Sequence, residues 1–178
     1  MTSLAQIASE LDVLLATEGF PDYPQAINGV QVETESDIVK VAAAVDLRER
    51  TIRSAMEAGA NLLIVHHGLF WAGLQPLRGP YYRRIHALLA SGMALYSSHL
   101  PLDAHPEIGN NVLLARELGL TPSAGFARYE SIHIGVRGDA DVATDDLVAR
   151  ADAVARRWGG SVRSSPSSPQ RVTKRWAV

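Results

Sequence analysis

The chain has 178 residues, 47% of them hydrophobic and 20% charged, with a formal net charge of −2 and no cysteine. That is enough for one domain with a real core and short for two, and nothing in the composition asks for wholesale disorder. The charge excludes the basic face of a nucleic-acid binder, and the missing cysteine excludes disulfides and thiolate metal sites, so any metal is held by nitrogen and oxygen.

Leu4, Ile7, Leu11, Leu14 and Leu15 recur at helical spacing after Ser3, a capping residue. Glu10 and Asp12 fall inside that pattern, so the segment reads as a helix and not as a signal peptide. The stretch GFPDYPQAINGVQVE (19–33) is rich in turn residues. IVKVAAAV (38–45) predicts a buried strand, 47–60 a helix ending near Gly59, and NLLIVH (61–66) a second strand. A Gly- and Pro-bearing loop leads to a helix over 81–92 and a third strand over 93–99. A loop over 99–111 precedes a helix that runs to Leu118 and is closed by Gly119. Strand and helix thus alternate through residue 120, which predicts an α/β layered domain with a parallel core sheet.

Further on, ESIHIGVR (130–137) starts a strand, and Thr144 is the expected cap of a helix reaching Trp158 before Gly159-Gly160. SSPSSPQ (164–170) reads as a polar loop and RVTKRWAV (171–178) as the opening of a strand. A composition shift near Pro122–Ala127 predicts an N-terminal α/β lobe over 1–125 and the start of a second segment over 126–178. The final Trp-Ala-Val fits either a short edge strand or a polypeptide that continues. No uncharged stretch reaches membrane-spanning length, and a cytoplasmic protein is the expectation.

The chemistry concentrates in two places. His66-His67-Gly68 ends the run LLIV, and His99, Asp103 and His105 follow the next strand. In open α/β sheets ligands bind beyond the carboxyl ends of the strands, so adjacent strands can bring these groups together. Neighbouring strand residues point to opposite faces, so the expectation is a strand that ends before the pair and a turn at Gly68 that swings both imidazoles into one cavity. Imidazole with carboxylate suits Zn, Fe, Mn or Ni.

Each residue also has a plainer reading. A lone histidine is more often hydrogen-bonded or at the surface, as expected for His86 and His133. His105 reads as a loop hydrogen bonder, Glu107 as a helix-dipole partner, and Phe70 and Trp71 as core or interface aromatics. Gly109-Asn110-Asn111 at a helix start can bind an anion, though capping is the simpler account. Neither a nucleophile elbow nor a GxxxxGK[ST] phosphate loop is present.

AINGVQVE (26–33), LIVHHGLFW with its neighbours in the 62–71 run, and SHLPLDAHPEIGNNVLLARELGL (98–120) together resemble the NIF-three-like family, whose members are often called GTP cyclohydrolase type-two-like. The resemblance covers roughly residues 3 to 137. It implies a layered fold with a parallel-rich sheet flanked by helices, two related lobes in the full-length family, and a ring-shaped homohexamer. It also implies two divalent metal ions, with His66, His67 and Asp103 as ligands and His99 at a motif position beside them; as an imidazole near neutral pH, His99 is the candidate catalytic proton carrier. The family pattern adds a later histidine and glutamate in a segment that this sequence stops short of, which points to a truncated chain. The function implied is metal-dependent hydrolysis of a nucleotide. The alternative is a non-enzymatic metal-binding or interaction scaffold that forms a homo-oligomeric ring.

Overall fold

The computed structural model describes residues 2–165, 168 and 170–178, so the polar loop expected over 164–170 lies partly outside the described residues. The chain forms two compact units that divide between Leu102 and Asp103.

The first unit holds a four-stranded sheet in the order β1-β4-β3-β2. Its elements are α1 (Leu4–Leu15), β1 (Gly29–Val32), β2 (Val41–Asp46), α2 (Glu49–Glu57), β3 (Leu62–His67), α3 (Gly79–Ser91) and β4 (Ala94–Ser97). β2, β3 and β4 are parallel, as expected, and β1 adds an antiparallel edge beside β4. The strand β1 sits inside the turn-rich 19–33 stretch, where only four residues have strand conformation.

Each helix has a local cause. Ser3 Oγ accepts from the Gln6 N–H and Gln6 Oε1 accepts from the Ser3 N–H, the reciprocal cap that starts α1. α3 starts with Pro80 in its first turn and ends on Gly92 in the left-handed region.

The run LLIV is apolar throughout because both faces of β3 are covered. Leu63, Val65 and Leu95 pack with Ile52, Ala55, Tyr81 and Leu88 from α2 and α3. Leu62, Ala94 and Tyr96 face the other way and pack with Leu4, Ala8 and Leu15 of α1. The buried Tyr96 donates to Asp12 Oδ1 at 2.7 Å, so its hydroxyl is satisfied in that second layer.

The short turn α4 (Leu100–Asp103) spans the division. The second unit contains α5 (Asn110–Glu117), β5 (Ala124–Tyr129), β6 (Ile132–Ala143), α6 (Thr144–Arg157) and β7 (Val172–Ala177). Its sheet is antiparallel in the order β5-β6-β7. The unit begins ahead of the 125/126 boundary read from composition because α5 packs on β6: Asn111 Nδ2 donates to the Ile134 carbonyl at 2.6 Å. Thr144 is the first residue of α6 and Ala143 its cap, since the Thr144 hydroxyl bonds Thr173 Oγ1 at 2.9 Å across to β7. Among the described residues no helix is long and apolar enough to cross a membrane.

Candidate metal centre

Three parallel strands deliver their carboxyl ends to one side of the first sheet, and the polar residues of this unit gather there. In the β2–β3 register, His67 lies opposite Asp46. Both histidines are the last residues of β3, so the strand does not end before them as expected. Past the sheet edge their rings nevertheless meet, with centroids 4.6 Å apart. Thr51 fixes the turn after Asp46: its hydroxyl donates to the Asp46 carbonyl and accepts from the Arg48 N–H.

Gly68 is dictated by packing. A Cβ there would meet Gln31 Oε1 at 2.4 Å. Gln31 cannot yield easily, because it accepts from the Leu69 N–H and donates to the Ala26 and Ile27 carbonyls.

His99 follows β4 and completes a triad. Its ring centroid lies 4.8 Å from His66 and 5.6 Å from His67. One ring nitrogen from each of the three histidines falls within 4.8 Å of the others.

Every imidazole is anchored through Nδ1. His66 Nδ1 donates to the Ser98 carbonyl at 2.9 Å, His67 Nδ1 to Asp46 Oδ1 at 2.8 Å, and His99 Nδ1 to Asp22 Oδ1 at 2.8 Å. A carbonyl or carboxylate can only accept, so the proton sits on Nδ1 and the lone pair of the neutral ring sits on Nε2. This is the arrangement that metal-ligating histidines use, in which an outer oxygen fixes tautomer and ring orientation. The triad therefore fits a metal ion by its chemistry.

The two carboxylate anchors differ. Asp22 and His99 have side chains 6% and 8% exposed, against 39% and 37% for Asp46 and His67. Burial pushes the Asp22 carboxyl up, but hydrogen bonds from Asn28, His99 and the N–H groups of Leu100 and Tyr23 outweigh it and hold the acid below its ordinary value. Asn28 also accepts from the His99 N–H at 2.7 Å, so one loop fixes both the backbone and the ring of His99. Asp46 is likewise held low, first by His67 and then by Arg48. Trp71 lies 4.4 Å from His99 and 5.4 Å from His67 between centroids, and Tyr23 meets Trp71 edge-on at 5.9 Å.

Of the residues singled out from the sequence, His66, His67 and His99 come together. Asp103 falls at the first residue of the second unit, where Oδ1 accepts from Asn110 Nδ2 at 2.8 Å. In that unit His105 is a loop hydrogen bonder, with Nδ1 accepting from the Glu107 and Ile108 N–H groups. His86 and His133 are exposed. Phe70 is partly buried against the core, whereas Trp71 joins the histidines. Sequence reasoning missed Asp22, Asn28, Tyr23 and Asp46. Only Asp46 carried a usable signal, as a carboxylate at the end of the strand beside the His-His pair.

The family model for Duf34/NIF3 (NGG1p interacting factor 3) matches residues 2–176. A protein of Archaeoglobus fulgidus named "GTP cyclohydrolase 1 type 2 homolog" is 41% identical over 142 residues, 80% of this chain and 57% of its own. A solved structure described as "protein ybgI, unknown function" superposes with a TM-score of 0.84 at 31% identity, over 99% of this chain and 68% of that one. The crystal structure of TTHA1606 from Thermus thermophilus gives a TM-score of 0.76 at 36% identity, covering 87% of this chain and 62% of that one. The chain spans about half the length of the curated relatives it matches. With a matching α/β fold and a matching sequence, the chain belongs to the Duf34/NIF3 family.

Proposed function

We propose that this chain carries the metal-binding part of a metal-dependent hydrolase of the GTP cyclohydrolase type-two-like kind. The observation that carries the reading is the triad of imidazoles, each tied by Nδ1 to an oxygen and presenting Nε2 as the ligand atom. His66 and His67 are the proposed ligands from β3. Asp103 is added as a carboxylate ligand on the family resemblance alone, as is a count of two ions. When bound, divalent ions supply Lewis acidity toward water and toward a substrate oxygen.

The chain's own residues set the conditions for chemistry. His99, buried and locked to Asp22, turns its Nε2 to the centre as a third candidate ligand, and the proton-carrier role proposed for it belongs to a state in which that Nε2 is free of metal. Trp71 shields the rings of His67 and His99 on one side. The nucleotide substrate comes from the name carried by the relatives, and self-association into a homohexamer from the resemblance.

Elemental mass spectrometry on the parent and on His66→Ala/His67→Ala tests the reading. The parent is expected to carry a divalent transition metal and the double variant to lose it. A parent that stays metal-free after loading with Zn²⁺ or Mn²⁺ contradicts the reading. For the metal-loaded parent, GTP turnover that disappears in His66→Ala/His67→Ala supports the hydrolase reading; its absence in the parent leaves the scaffold alternative.

A further inference from the structure

Beside His67, the first unit has an open hollow of about 370 Å³. Asp46, Arg48, His67, Trp71 and Arg84 line it. The charges in it are unevenly matched. Asp46 is committed twice, to His67 Nδ1 and to the Arg48 guanidinium, whose Nε and Nη2 reach Oδ2 at 3.0 and 2.8 Å. Arg84, from the first turns of α3, makes no ion pair among the described residues, and the Glu49 carboxylate that feels its charge is already bonded by Arg83. Its only hydrogen bond among the described residues runs from Nη1 to the Leu47 carbonyl at 3.3 Å, and its Nε is buried with no partner. The neighbouring Arg83 takes Glu49, with Nε donating to both carboxylate oxygens at 2.9 and 3.0 Å.

A half-buried guanidinium without an ion-pair partner is costly unless an anion binds it through its accessible nitrogens. Arginine's planar fork matches an oxyanion with two or more oxygens. We infer that the hollow is an oxyanion subsite, in which Arg84 binds a phosphate or carboxylate group of the molecule presented to the histidines, with Arg48 as its second cationic wall. As a substrate anchor this rests on the metal-centre reading, but the anion binding itself needs no metal. Trp71 supplies an aromatic wall to the same hollow, and it remains 41% exposed.

Calorimetric titration of metal-free, chelator-free protein with pyrophosphate and, separately, with malonate tests the subsite. The parent is expected to bind at least one of them, and the one it prefers assigns the source as phosphate or carboxylate. Arg84→Gln should weaken binding at least tenfold, Arg48→Gln by less, and Arg83→Gln not at all. Arg84→Lys, which keeps the charge, should retain part of the affinity with an unchanged Tm, and Arg48→Gln tests the site should Arg84→Gln fail to fold. Binding of neither anion by the parent overturns the proposal. So does equal weakening by Arg83→Gln, which would mean unspecific charge attraction. The two readings fail separately: pyrophosphate binding by a chain that takes up no metal contradicts the metal centre alone, and metal uptake without anion binding contradicts the subsite alone.

Discussion

The two units bury their strands to different degrees. In the first, β3 and β4 are covered on both faces, and Leu62, Leu63, Leu95 and Tyr96 are essentially inaccessible. In the second, β5 is exposed along nearly its whole length and α6 has no buried residue. The candidate centre stands on the first kind of support. Three imidazoles can keep a fixed geometry only where the strands beneath them cannot shift.

That contrast can be broken by substitution. Leu63→Ala should cost about 2–5 kcal/mol, since a fully buried leucine leaves a cavity between β3 and α2/α3. Phe126→Ala on β5, where the ring is 47% exposed, should cost about 0.5 kcal/mol or less. Urea midpoints for the two variants check the pair, and equal shifts would mean that the two units share the load. Gly68→Ala should cost about 1–3 kcal/mol, because the new Cβ must displace a glutamine held by three hydrogen bonds.

The two carboxylate anchors sharpen the comparison within the centre. Asp22→Ala strands the Asn28 amide, the Leu100 N–H and His99 Nδ1, and should lower metal affinity roughly 10–100-fold. Asp46→Ala should weaken it less, because His67 and Asp46 are in contact with solvent that can replace the lost acceptor. Zinc titration with a competing chelator measures both. An equal or reversed order would show that burial of the anchor does not matter.

The smallest effect belongs to the exposed helix α6. Asp152 is held below its ordinary carboxyl value of 3.8, first by Arg156 and then by the Val162 N–H. A lowered carboxyl in the folded state favours folding above the ordinary value, and the benefit fades as pH falls through the lowered one. Stability of the parent should therefore decline slightly more than that of Asp152→Asn between neutral pH and pH 3, as followed by denaturation midpoints. The same decline in both would remove this carboxylate from the account.

Much of the first unit was legible because its pattern is local. The run LLIV announces a strand buried on both sides, and Ser3 announces the start of α1. β1 was not, because four residues between turns carry no periodicity and their pairing with Ser97, Tyr96 and Leu95 lies more than sixty positions away. The centre divides in the same way. His66, His67 and His99 stand at strand ends and could be picked out as chemistry-bearing. Asp22 sits in the turn-rich 19–33 stretch and meets His99 77 residues later in the chain, a contact that no spacing rule reports. The role proposed for Arg84 was equally hidden, because a helical arginine reads as surface until its partners are counted.

The central claim is that His66, His67 and His99 each keep the proton on Nδ1 and offer Nε2 to a metal. Long-range ¹⁵N–¹H NMR of the histidine side chains, with and without Zn²⁺, tests this most directly. The account predicts Nδ1–H tautomers for these three rings in the metal-free protein and a large Zn²⁺-induced shift at their Nε2 atoms, with His86 and His133 unchanged. Protonated Nε2 atoms in the triad, or Zn²⁺ shifts confined to the other histidines, would contradict it.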